Sequence, residues 1–144
     1  MFFKKKYLSR SIKQPNVLDN RKKILNSKNP NLIYLLNKRF KWMSKYINNK
    51  KIVIELGSGN GCLKKILKNK NIILTDIIKY SWIDKKIDML NVNLEKKYLN
   101  KVDVFIINHS LHHCANPAKC LSMISKYLKF DIIERHFAGL AQNV

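Results

Sequence analysis

The feature that most constrains this chain is a short apolar run that ends in a glycine loop. Residues 52–56 include Ile52, Val53 and Ile54, followed by the carboxylate Glu55. After them glycine recurs at every second position, at Gly57, Gly59 and Gly61, and residues 62–67 then read as helical. A brief run of mostly β-branched residues is the pattern of a buried strand. Glycines in a strand-to-helix turn let the backbone bend sharply and approach a ligand where a Cβ would clash. The loop is therefore built to hold a small molecule against the main chain.

Further along, residues 71–76 repeat the pattern of an apolar run closed by an acid, Asp76. A weaker third segment precedes Asp88 and Met89, and residues 102–108 form a strongly apolar fourth. Helical patterns alternate with these strands. Leu32, Leu36, Phe40, Met43 and Ile47 recur at helical spacing after Pro30-Asn31, and the spacing predicts a helix there. The aromatics Trp42 and Tyr46 on it read as packing groups rather than a substrate cage. A second helix is predicted to begin at Asn116-Pro117, with asparagine as N-cap and an apolar face of Cys120, Leu121, Ile124, Tyr127 and Leu128. This alternation predicts an α/β fold, a Rossmann-like, mostly parallel sheet with helices on both faces. Ligands bind such sheets at the carboxyl ends of the strands, where the glycine loop and both acids fall.

Spacing and charge narrow the ligand. The dinucleotide fingerprint is G-x-G-x-x-G, whereas here the third glycine arrives one position early and Cys62 takes the last place. Glu55 would repel a pyrophosphate but attract a ligand carrying an ammonium and a sulfonium. The E-x-G-x-G-x-G pattern resembles the first motif of class I S-adenosylmethionine-dependent methyltransferases. Asp76 lies about 20 residues beyond the loop, the offset at which such units place an acid on ribose hydroxyls. Residues 108–113, Asn-His-Ser-Leu-His-His, are similar to the family's fourth motif, and Leu111-His112-His113 to its small-molecule branch, the type 11 methyltransferases. The resemblance covers residues 51–128. It implies S-adenosylmethionine as cofactor, held by Glu55, Gly57, Ser58, Gly59, Gly61, Asp76, Ile77, Asp88, Met89, Asn108 and His109, with Asp88 accepting from the adenine amino group. It also implies a small-molecule, carbohydrate or lipid-intermediate acceptor.

Methyl transfer to a hydroxyl requires a general base. His109, His112 and His113 are the candidates, since they follow the fourth strand, with His109 better suited to lining the cofactor site; each also reads as part of a loop that caps or packs the next helix. The tract lacks the Asn/Asp-Pro-Pro-aromatic pattern of enzymes that methylate exocyclic amines. His112, His113, Cys114 and Cys120 have no zinc-ligand spacing, so no metal is expected.

The formal net charge is +20, from 29 Lys and Arg against 9 Asp and Glu. Such an excess points toward nucleic acid, yet the basic residues are mostly Lys spread along the chain, without an Arg-rich patch interleaved with aromatics. An RNA-directed methyltransferase is the first alternative, and a non-catalytic remnant that keeps the cofactor loop is the second. No apolar run reaches membrane-spanning length, no secretory signal follows the basic N-terminus, and the three cysteines suggest no disulfide framework. A cytoplasmic protein is expected. Residues 1–30 read as a basic leader, 31–133 as the methyltransferase domain and 134–144 as an atypical tail. With at most a short fifth strand in residues 128–133, the last strands of a seven-stranded methyltransferase sheet are expected to be missing.

Overall fold

A computed structural model describes residues 17–129. It is a mixed α/β structure built on a four-stranded, all-parallel sheet. In chain order the described elements are α1 (Val17–Leu25), α2 (Pro30–Ile47), β1 (Val53–Leu56), α3 (Cys62–Ile66), β2 (Ile72–Asp76), β3 (Lys85–Lys86), β4 (Val104–Ile106) and α4 (Pro117–Ser125). Short 3-10 turns, Lys96–Tyr98 and Leu111–His113, flank β4.

The strand order is β3-β2-β1-β4. β1 lies at the centre, with Glu55 opposite Leu74 of β2 and Ile106 of β4. All four β1 residues are buried, which is why the strand reads as a continuous apolar run rather than an alternating one. Successive side chains point to opposite faces. Val53 enters a layer with Phe40, Met43 and Ile47 of α2, Leu63 of α3, and Ile72 and Leu74 of β2. Ile54 and Leu56 enter the other, with Val92, Leu94, Val102, Cys120, Ile124 and Tyr127. Helices thus cover both faces.

Helix α2 begins where Asn29 Oδ1 accepts the amides of Asn31 at 2.9 Å and Leu32 at 3.3 Å, with Pro30 in the first turn. It buries Phe40, Met43 and Ile47. Trp42, expected to pack, is 40% exposed and touches Tyr46 edge-on. Helix α4 starts as predicted. Asn116 Oδ1 accepts the Lys119 amide at 2.9 Å, and Cys120, Ile124 and Tyr127 are buried.

Three elements differ from the sequence expectation. Residues 17–25, read within a leader without periodicity, form α1. The fourth strand is three residues long, and just before it Asp103 Oδ2 accepts the amides of Lys51 at 2.9 Å and Ile52 at 2.8 Å. The third strand is two lysines, extended by pairing with Thr75 and Asp76 rather than by an apolar face. Beyond β4, Leu128 makes an isolated parallel bridge to Val102. Residues 130–133 of the expected fifth strand, the tail 134–144 and residues 1–16 lie outside the described residues. Among those described, no helix is long and apolar enough to cross a membrane.

Candidate ligand site at the carboxyl end of the sheet

In an open parallel sheet the crevice for a ligand lies where the strand order reverses. Here that point falls between β1 and β4. The glycine loop leaves β1 on one side of it, and the segment after β4 carrying Asn108, His109 and Ser110 leaves on the other.

The loop is tied to its neighbours by a dense set of hydrogen bonds. The Ser58 amide donates to Thr75 O at 2.9 Å, and the Thr75 amide donates back to Ser58 Oγ at 3.1 Å. Thr75 Oγ1 donates to Glu55 O at 2.7 Å. Asp76 Oδ2 accepts the Gly59 amide at 2.8 Å and its Oδ1 accepts the Ile78 amide at 3.1 Å. From across the switch point, Ser110 Oγ donates to Leu56 O at 2.8 Å.

All three loop glycines have left-handed backbones, with φ of +69° at Gly57, +51° at Gly59 and +61° at Gly61. Their surroundings differ. A Cβ on Gly57 would stand 2.5 Å from Ser110 Cβ and 2.9 Å from Met89 Cε, so that glycine lets the two neighbouring segments close on β1. A Cβ on Gly59 would meet nothing within 4 Å. The open ground of the cradle is therefore at Gly59.

Glu55 is the anomaly. It is 3% exposed, and its Oε2 has no hydrogen-bond partner among the described residues. Burial raises its carboxyl from an ordinary 4.5 to about 8, the Ser58 hydroxyl opposing the rise and the nearby Asp76 charge adding to it. Buried polar groups are ordinarily paired, and an orphaned one costs free energy. Strand alternation puts Glu55 on the same sheet face as Val53, and the register puts Leu74 and Asp76 of β2 on that face as well. A cationic ligand group would satisfy the orphaned oxygen. The residues present thus fit a ligand with a positive centre.

The remaining predicted positions lie on the same end of the sheet, with different surroundings. Met89 reaches Gly57, as above. Ile77 follows β2 and is half-buried. Asp88 is half-buried two residues beyond β3, and its Oδ1 accepts the Leu90 amide at 2.8 Å. Asn108 Oδ1 accepts from Arg39 Nη2 of α2 at 3.2 Å. His109 is exposed with φ +54°, and the Arg39 guanidinium and burial hold its imidazole below its usual pKa. His112 and His113 are exposed on the Leu111–His113 turn, their rings 3.9 Å apart. Among the described residues no three His, Cys, Asp or Glu side chains are grouped to hold a metal ion. Cys114 and Cys120 are buried, and burial pushes the Cys120 thiol to about 11, far from a thiolate nucleophile.

Sequence reasoning assigned no role to Ser110, Arg21, Arg39 or Trp82. Ser110 sits inside the recognised tract, but only the fold brings its short side chain beside Gly57. Arg21 is one basic residue among many, and nothing in its sequence context singles it out. No protein-family model, curated protein or solved structure matches the chain.

Proposed function

We propose that this chain is a class I S-adenosylmethionine-dependent methyltransferase acting on a small-molecule, carbohydrate or lipid-intermediate acceptor. The observation that carries this reading is the buried, partnerless Glu55 oxygen at the end of the central strand, immediately before three left-handed glycines. An ammonium would pair with the ionised carboxylate and stabilise it there, which an anionic pyrophosphate cannot do.

In this reading Glu55 ionises against the cofactor's cationic end. Asp76 already accepts two backbone amides, and since each carboxylate oxygen has two lone pairs it can still accept from ribose hydroxyls. Gly59 leaves room for the ligand to lie on the main chain. Asp88 and Met89 would hold the adenine, and the backbone of Asn108 and His109 would line the site from the β4 side. Bound there, the sulfonium supplies an electrophilic methyl group. The protein's remaining task is to align an acceptor and, for a hydroxyl, to take its proton. His112 or His113 serves as that base, and their exposure lets the proton pass to water.

One observation favours the alternative of an RNA-directed enzyme. Tyr34, Lys38, Lys41, Trp42 and Lys45 are exposed at helical spacing along one side of α2, a combination of rings and cations that suits single-stranded RNA. Calorimetric titration with S-adenosylmethionine tests the main proposal. No binding by a folded sample removes both enzyme readings and leaves the non-catalytic remnant. Tight RNA binding that falls steeply with salt moves the acceptor to RNA.

A further inference from the structure

Helix α1 reaches the glycine loop through one side chain. Arg21 Nη1 donates to the carbonyl of Asn60, and the guanidinium carbon lies 4.5 Å from the centroid of the Trp82 indole. Trp82 donates from Nε1 to the carbonyl of Gly59 at 2.9 Å. It also stacks on Tyr80, with ring centroids 4.9 Å apart and planes 5° from parallel. Two successive loop carbonyls are thus held by side chains from two segments outside the loop, and those side chains hold each other. Gly61 closes against the same pair, since a Cβ there would stand 2.7 Å from Trp82 Cδ1 and 3.2 Å from Arg21 Nη1.

A carbonyl and the amide that follows it share one rigid plane. Fixing Gly59 O and Asn60 O therefore fixes the Asn60 and Gly61 amides, the part of the loop that follows the open cradle at Gly59. A guanidinium can donate in its own plane while its face lies on an aromatic ring, which an ammonium cannot do.

We propose that Arg21 is a positioning residue for the ligand loop, and that α1 is a working part of the site rather than of a basic leader. Arg21 and Trp82 form a clamp that sets the loop's shape before any ligand arrives. Its benefit to cofactor affinity rests on the proposed methyltransferase reading, but the clamp itself is measurable in the free protein.

The test uses the full chain carrying Trp42→Phe, which leaves Trp82 as the sole tryptophan of the two in the sequence. In that background Arg21→Ala is expected to shift Trp82 emission and increase its quenching by acrylamide. Amide exchange over residues 59–62 should accelerate about ten-fold, the scale of one charge-assisted hydrogen bond. Arg21→Lys should restore part of the loop protection but not the Trp82 emission. Affinity for S-adenosylmethionine should fall about ten-fold in Arg21→Ala. Unchanged emission and loop exchange in a folded Arg21→Ala protein overturn the clamp, whatever the cofactor does. A sensitive loop in a protein that binds no S-adenosylmethionine supports the clamp and overturns the cofactor reading instead. Should Arg21→Ala not fold, Trp82→Phe leaves an aromatic ring beside Tyr80 but removes the Nε1 donor and the second ring under Arg21, and an unchanged exchange rate at residues 59–62 then overturns the proposal.

Discussion

Asp76 accepts the Gly59 amide at 2.8 Å, so the acid that ends β2 shapes the loop that follows β1. Its second oxygen takes the Ile78 amide, and one carboxylate organises both turns. Replacing it by alanine removes two charge-assisted bonds from a half-buried site. Asp76→Ala is expected to lower stability by about 2 kcal/mol, read as a shift in the urea midpoint without a change in slope. An Asp76→Ala protein as stable as the parent contradicts this role.

Gly57 and Gly59 fall into different energetic classes. At Gly57 an alanine meets both the left-handed φ and Ser110 Cβ at 2.5 Å. Strain and overpacking together should cost about 2–4 kcal/mol. At Gly59 the φ is left-handed but the space is open, and alanine should cost only about 1–2 kcal/mol. Gly59→Ala is therefore expected to fold and to lose ligand affinity, because its methyl group enters the cradle. Thermal melts of the two variants and a binding titration of the second check the contrast.

Much of this organisation was legible in the sequence, for identifiable reasons. β1 and β2 are apolar on both faces in a parallel sheet, so Ile54 and Ile72 announce themselves as continuous runs. Asn29 and Asn116 sit beside prolines, and both cap helices. The short elements were harder. β3 is Lys85–Lys86, held by pairing with Thr75 and Asp76 without apolar burial of its own. β4 is only three residues long, and the Asp103 carboxylate just before it reaches the amides of Lys51 and Ile52 some fifty residues away in sequence. At the candidate site, Glu55, Asp76 and the glycines stand out in the sequence because each falls at the end of an apolar run or at a fixed spacing after one. Arg21 was not, since its role comes entirely from Asn60 and Trp82, which only the fold brings near it.

Tyr127 offers a check on the opposite layer. Its hydroxyl accepts the Leu94 amide at 3.0 Å inside the core. Tyr127→Phe leaves that buried amide unpaired and should cost about 1–3 kcal/mol. Amide exchange at Leu94 should accelerate in step, whereas an unchanged rate would place the bond outside the cooperative core.

Stability should carry the signature of Glu55. Its carboxyl titrates near 8 in the folded chain, against 4.5 ordinarily. Between those values the unfolded chain has lost the proton and the folded chain keeps it. The contribution is therefore full below about pH 4.5, declines by at most about 1.4 kcal/mol per pH unit as pH rises, and levels off above about pH 8. Glu55→Gln, which cannot ionise, should flatten the profile over this window. Urea denaturation of both proteins at several pH values measures the difference, and identical profiles would contradict the assignment.

If Glu55 pairs with the cationic end of S-adenosylmethionine, as proposed, proton-linked calorimetry will register it. At pH 7 the carboxyl of the free protein is mostly protonated, so pairing with a cation must expel its proton. Titration in two buffers of different ionisation enthalpy should give release of about one proton per ligand bound. Glu55→Gln should bind at least about ten-fold more weakly and release none. A folded protein that binds no S-adenosylmethionine contradicts the account, as does a Glu55→Gln protein that binds it with the same affinity and the same proton release.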